Sequence, residues 1–336
     1  MDPDAARRVE RVPHGGGVDA GLIDFSANVN PETPPGVTAV YDGSLAVAKR
    51  YHADDYTEFR IAAGEYVGCD PTSVIPTAGG LDAIRLALSV HVDRGDRVLV
   101  PYPSFGEYAR EVELQGAEPA FVPVGDLLET DPEGYAMAIV CTPNNPTGSA
   151  ADADDLARFL ERCRAAGTVL LVDEAFLGFT DRLSMAGREG AVVIRSLTKL
   201  FGLPGLRAGF AVATGDLSDP MERARLAWNL STPAAAVGEH CLRSEGFVEE
   251  TRARVASERE RMREALSADY DVHPSDAPFL LLDVGDRSVD DVVETARDGG
   301  LAIRDARSFR GLDSHVRCAV RTPEQNDRLI GVLSLV

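Results

Sequence analysis

Lys199 is the residue of this 336-residue sequence best suited to covalent chemistry. Only two lysines, Lys49 and Lys199, stand among the 34 basic residues, so the other 32 are arginines. Arginine replaces lysine on a surface at little cost. It cannot form an imine, because its delocalised guanidinium stays protonated. A lysine kept in such a composition is expected to be needed as an amine. Its neighbours strengthen the case: Arg195-Ser196-Leu197-Thr198-Lys199 runs into a Gly/Pro-rich loop that brings back Arg207. Two hydroxyls and a guanidinium form a phosphate-binding set, with Arg suited to bidentate contact. Lys199, at the end of an apolar strand, would then reach an aldehyde held beside that phosphate.

Three further constellations supply complementary groups. Val172-Asp173-Glu174-Ala175-Phe176 ends another apolar run, and a carboxylate there can pair with a protonated pyridine nitrogen, keeping such a ring an electron sink. A strand-end Asp can equally cap a helix. Cys141-Thr-Pro-Asn-Asn145-Pro-Thr-Gly148 holds turn formers, and Asn145 could give its amide to a phenolate oxygen on the ring. In Thr77-Ala-Gly79-Gly80-Leu81, glycines open a helix whose leading N–H groups suit phosphate.

The elements that must position these groups read as a βαβ alternation. Arg97–Pro101, Pro119–Val124, Ala136–Cys141, Val169–Asp173, Val192–Leu197 and Arg207–Ala213 have strand character. Gly80–Asp93, Ser104–Gln115 and Ala153–Ala165 read as helices between them. The fold class expected is α/β: a largely parallel sheet flanked by helices, with ligand chemistry at the carboxyl ends of the strands. Arg243–Ser267 is a long charged helical pattern, and Phe279–Val284 and Val316–Val320 are later strands. A large domain over 41–228 and a smaller α+β domain from 1–40 and 229–336 follow, the boundary lying in a helix around Leu226–Leu242.

Acidic residues outnumber basic ones by 54 to 34, a formal charge of -20. That polyanion argues against nucleic-acid and anionic-membrane partners. An acid-rich, lysine-poor surface suits a cytoplasm of high salt. No apolar run approaches membrane-spanning length and no secretory signal opens the chain, so a cytoplasmic location is expected. Cys69, Cys141, Cys163, Cys241 and Cys318 lack metal or redox spacing, and no metal is expected.

In their order and spacing these motifs resemble fold-type I enzymes dependent on pyridoxal 5′-phosphate, of the class I/II aminotransferase superfamily, over nearly the whole chain. The resemblance implies that Lys199 joins the cofactor aldehyde, Asp173 pairs with the pyridine nitrogen and Asn145 donates to the ring oxygen. Ser196, Thr198, Arg207 and the amides of Gly80 and Leu81 would hold the phosphate, and Phe105 would stack on the ring. Tyr51 matches a tyrosine that completes the phosphate site of the partner subunit, which implies a homodimer.

Histidinol-phosphate aminotransferases within this superfamily usually carry Asp-Glu-Ala-Tyr where this chain has Asp173-Glu-Ala-Phe176. His14-Gly-Gly, Asp24-Phe-Ser-Ala-Asn28-Val-Asn30-Pro, Phe176, Gly311-Leu-Asp-Ser and Arg317-Cys-Ala-Val-Arg321 together look more like the L-threonine O-3-phosphate decarboxylases of cobalamin biosynthesis. Two positions depart from that pattern: Gly17, where Asn is common, and Ala78-Gly-Gly in the phosphate loop. That resemblance implies a phosphorylated amino acid as substrate, held by Arg304 and Arg317 with His14, Asn28 and Arg321 nearby. Histidinol-phosphate or related aminotransfer is the alternative.

Overall fold

The computed structural model describes residues 1–17 and 19–335. Its centre is a seven-stranded sheet in the order Val74–Thr77, Gly209–Val212, Ala191–Ser196, Val169–Asp173, Met137–Cys141, Arg97–Tyr102, Glu118–Pro123. Gly209–Val212 runs antiparallel to both neighbours, and the other pairings are parallel. The inner strands are almost continuously apolar because helices cover both faces. Alternate residues serve opposite cores. Ala138, Val140, Leu170, Val172 and Val193 pack with Phe159, Phe176 and Phe210, while Met137, Ile139, Leu171, Val192 and Ile194 pack with Ile84, Leu88 and Tyr108. Full burial of each such aliphatic side chain contributes about 1.5–3 kcal/mol.

Local chemistry sets the helix ends. Asp152 caps Ala153–Ala166 by accepting from the N–H groups of Asp154 and Asp155, and Gly167, at φ 74°, ends it in the left-handed region. The helix expected around Leu226–Leu242 begins only at Thr232, where Ser231 accepts from the N–H of Ala234 and Pro233 occupies the first turn. The long charged pattern forms Glu245–Leu266.

Beyond it lies a four-stranded antiparallel sheet in the order Arg304–Asp305, His315–Ala319, Phe279–Asp283, Asp271–Val272. The N-terminal segment joins this part of the molecule, Ile23–Asp24 pairing in parallel with Leu301–Ala302. It also touches the strand ends of the large sheet: the N–H of Asn30 donates to the carbonyl of Lys199 at 2.9 Å, and its amide nitrogen to that of Leu200 at 2.8 Å. Gly202 (φ 67°) lies under this segment, and a Cβ there would meet the carbonyl oxygen of Glu32 at 2.4 Å. All five cysteines are free, four of them buried. Among the described residues no helix is long and apolar enough to cross a membrane.

Candidate active site

A cavity of about 300 Å³ opens at the carboxyl ends of the large sheet, between it and the N- and C-terminal segments. Its inner wall is an anion cradle. No side chain caps the first turn of Gly80–His91, so the leading N–H groups of that helix stay open to an anion. Ser196 Oγ and Thr198 Oγ1 lie 2.8 Å apart beside it. Arg207 closes the cradle in a left-handed conformation (φ 54°), a strained geometry for a residue with a Cβ. Gly79, at φ 95°, is required beneath it, since a Cβ there would meet Arg207 Nη2 at 2.6 Å.

Lys199 sits in a short helix, Leu197–Leu200, rather than at the end of a strand, which stops at Ser196. Burial, then the charges of Arg317 and Arg207, lower its ammonium from 10.5 to about 8. Asp173 is also buried. Its Oδ1 accepts from the N–H of Ala175 at 3.0 Å and its Oδ2 from the hydroxyl of Tyr108 at 2.6 Å. Burial raises the Asp173 carboxyl above its ordinary value, and these two hydrogen bonds oppose the shift. Tyr108 is itself fully buried. Burial and the Asp173 charge push its phenol well up, so it remains a donor.

The outer end of the cavity holds cations. Arg317 Nη1 donates to Asn145 Oδ1 and Nη2 to the carbonyl of Ser26 at 2.8 Å. The first contact turns the Asn145 oxygen towards Arg317 and leaves its NH₂ group to donate elsewhere. Arg304 Nη2 donates to the carbonyl of Pro13 at 2.8 Å and to Ser308 Oγ at 2.7 Å. Burial lowers both guanidiniums below their ordinary value, and the charge of Arg304 adds to the effect on Arg317. Arg304 Nε, Arg317 Nε and Asn28 Oδ1 are buried without a partner. Such groups are costly to leave unpaired, and two crowded cations with spare donors fit anionic ligand groups.

Of the residues singled out in the sequence, Lys199, Asp173, Asn145, Ser196, Thr198, Arg207, Gly80, Leu81, Phe105, His14, Asn28, Arg304 and Arg317 all line this cavity. Tyr51 does not: it is 84% exposed, its ring 4.7 Å from that of Trp228. Arg321 does not line it either. It donates to the carbonyl of Asp24 and to Gln325, so it fixes the strand leading to Ser26 instead of facing the cavity. Sequence reasoning missed Tyr108, Glu107 and Ser308. Glu107, Tyr108 and Glu111 fall on the buried face of an amphipathic helix, and two acids and a tyrosine on such a face were the available signal.

An amine lowered towards neutrality, a buried carboxylate, an amide donor and an anion cradle are the set that a pyridine aldehyde carrying a phosphate requires, and the residues present fit that group.

The profile of the class I and II aminotransferases matches residues 20–333 of the chain. Histidinol-phosphate aminotransferase 2 of Archaeoglobus fulgidus is 32% identical over 327 residues, 94% of this chain and 93% of that protein. Several further relatives carry the same enzyme name. A protein of Caldanaerobacter subterraneus subsp. tengcongensis provisionally named a threonine-phosphate decarboxylase is 32% identical over 348 residues, 95% of this chain and 92% of its own. Among solved structures, L-threonine-O-3-phosphate decarboxylase from Porphyromonas gingivalis superposes with a TM-score of 0.85 at 24% identity, covering 94% of this chain and 99% of that one.

Proposed function

The chain belongs to the class I and II aminotransferase family, whose cofactor is pyridoxal 5′-phosphate, and from that premise we propose that it decarboxylates L-threonine O-3-phosphate to (R)-1-amino-2-propanol O-2-phosphate and CO₂, a step of cobalamin biosynthesis. The observation that carries the proposal is the outer end of the cavity. There Arg304 and Arg317 each keep a buried, unpartnered Nε, beside His14 and the unpaired oxygen of Asn28. A substrate with both a phosphate and a carboxylate answers two neighbouring cations; histidinol phosphate offers only the phosphate. Phe176 supports the same choice. It is buried edge-on against Phe279, ring centroids 5.2 Å apart, and brings no hydroxyl to the site.

Pyridoxal 5′-phosphate held here would supply an aldehyde for the substrate's amine and a ring able to accept electrons from a bond at Cα. The residues decide which bond that is. Ser196, Thr198, Arg207 and the amides of Gly80 and Leu81 would fix the cofactor phosphate, Phe105 would cover the ring, Asp173 would hold its nitrogen and Asn145 its oxygen. Arg317 and Arg304 would hold the substrate's carboxylate and phosphate, and the position in which the carboxylate is held would decide which bond at Cα breaks. The Lys199 amine, which lines the same cavity, would supply the proton that Cα takes up when CO₂ leaves. The exposed apolar side chains Tyr41, Leu45, Val47, Tyr51, Leu226 and Trp228 support a homodimer in which the partner subunit's Tyr51 completes the phosphate cradle.

Incubating the holoenzyme with L-threonine O-3-phosphate and no keto acid tests the reaction. Release of CO₂ supports decarboxylation. Turnover of an amino donor only when 2-oxoglutarate is present overturns it in favour of aminotransfer.

A further inference from the structure

Glu107 is an acid that the mechanism above leaves unused, yet it is almost wholly buried, with a side chain 5% exposed. It is the first residue of the helix Glu107–Leu114. Its Oε2 accepts from Arg110 one turn later at 3.1 Å, and its Oε1 lies 2.9 Å from Nε2 of His14, a residue 93 positions earlier. Arg110 is shared with the fully buried Glu111, which is held in turn by two hydrogen bonds from Arg85.

The segment carrying His14 is seated tightly. Gly106 accommodates Val12, whose Cγ1 would lie 2.8 Å from a Cβ at that position, and Gly15 lies under Ser26, whose carbonyl oxygen would be 2.3 Å from another. The carbonyl of Pro13 takes the hydrogen bond from Arg304. The His14 ring lies against Phe105, centroids 5.7 Å apart, and lines the cavity beside Arg304. A carboxylate is an acceptor only, so Nε2 must carry the hydrogen in this contact. Nδ1 is then the ring nitrogen left to face a ligand in the cavity.

We propose that Glu107 is a positioning residue for substrate recognition, holding His14 by Nε2 so that Nδ1 contacts the phosphate group of the substrate. The inference rests on the cavity's outer end accepting a phosphomonoester and not on which bond at Cα is broken.

Steady-state kinetics of the holoenzyme variants Glu107→Ala, Glu107→Gln, His14→Gln and the double variant His14→Gln/Glu107→Ala test it. Each single alanine or His14 change should raise KM for O-phosphothreonine by about tenfold, the worth of one oriented hydrogen bond to a charged group. Glu107→Gln keeps an acceptor without the charge and should lie between wild type and Glu107→Ala. The kcat should stay within about twofold in all of them, and the double variant should be no worse than His14→Gln alone. Imidazole ¹⁵N spectra supply a readout independent of turnover: wild type should show His14 protonated at Nε2, and Glu107→Ala should lose that fixed state. If the wild type acts on histidinol phosphate instead, the decarboxylase proposal fails while the same KM comparison, made with that substrate, still decides the role of Glu107. Additive effects in the double variant, an unchanged KM, or unaltered His14 spectra in Glu107→Ala would overturn it.

Discussion

Stripping the cofactor from the protein and adding it back at different pH values should show Lys199 reacting as an unusually acidic amine. Imine formation needs the neutral amine, and the rate of capture follows the neutral fraction. Burial, Arg317 and Arg207 bring Lys199 from 10.5 to about 8. At pH 7 an ordinary lysine is neutral in roughly one molecule in 3,000, whereas one titrating near 8 is neutral in roughly one in ten, a gain of about 300-fold. Stopped-flow absorbance after mixing apoprotein with pyridoxal 5′-phosphate should give a rate that rises with pH, reaches half its maximum near pH 8 and is level above about pH 9. Arg317→Met removes one of the two cations and should move the midpoint upward. Burial, the largest cause, remains, so the midpoint should stay below 10.5. A wild-type rate still climbing at pH 10, or a midpoint that falls in Arg317→Met, would refute the electrostatic account.

The same lysine gives a stability prediction: apoprotein carrying Lys199→Met should melt higher than wild-type apoprotein at pH 7. The folded protein holds its proton less tightly than the unfolded chain, so the penalty is full below about pH 8 and gone by 10.5, and calorimetry should see the two melting curves converge across that window. Tyr108→Phe leaves one oxygen of Asp173 unpaired in a buried site, which should push that carboxyl further up and weaken cofactor binding by about tenfold, measured by reconstitution titration. Gly79→Ala should displace Arg207 and weaken cofactor binding more than it lowers the melting temperature, a comparison that separates cradle damage from general unfolding. Protein carrying Lys199→Ala, loaded with cofactor, should lose the absorbance of the lysine imine and its activity; survival of either would remove Lys199 from its central role.

Much of the large sheet was legible because its strands are buried on both faces and read as short apolar runs. Val169–Asp173 matches the expectation residue for residue, Arg97–Tyr102 and Met137–Cys141 differ from it by a residue at one end, and Ala191–Ser196 is shifted from it by one residue. Val74–Thr77 was missed: it is four residues long, contains Pro76 and gains its strand character from antiparallel pairing with Gly209–Val212. The cofactor end of the site was legible because its groups cluster at strand ends within short motifs. The substrate end was less so. Nothing local to Arg321 distinguishes it from Arg317, yet the register of Phe279–Asp283 against His315–Ala319 sends one guanidinium into the cavity while the other is spent on Asp24. The buried helix face marked Glu107 and Tyr108 as unusual but could not name their partners, His14 and Asp173, which are 93 and 65 positions away.

The cavity also has a division along the chain. The groups of the anion cradle lie between Gly80 and Arg207, whereas the outer end is drawn from Val12–Gly15, Ser26–Asn28 and Arg304–Arg317, brought together by the pairing of Ile23–Asp24 with Leu301–Ala302. During synthesis, the central stretch emerges carrying Gly80, Ser196, Thr198 and Arg207, while the outer wall must wait for Arg304–Arg317 to meet the N-terminal segment. The two parts are not independent, since Arg317 donates to Asn145 and its charge lowers Lys199, so a change in the outer wall is felt at the inner one. A chimera joining these ends to the central stretch of a relative would have to keep that Arg317–Asn145 contact.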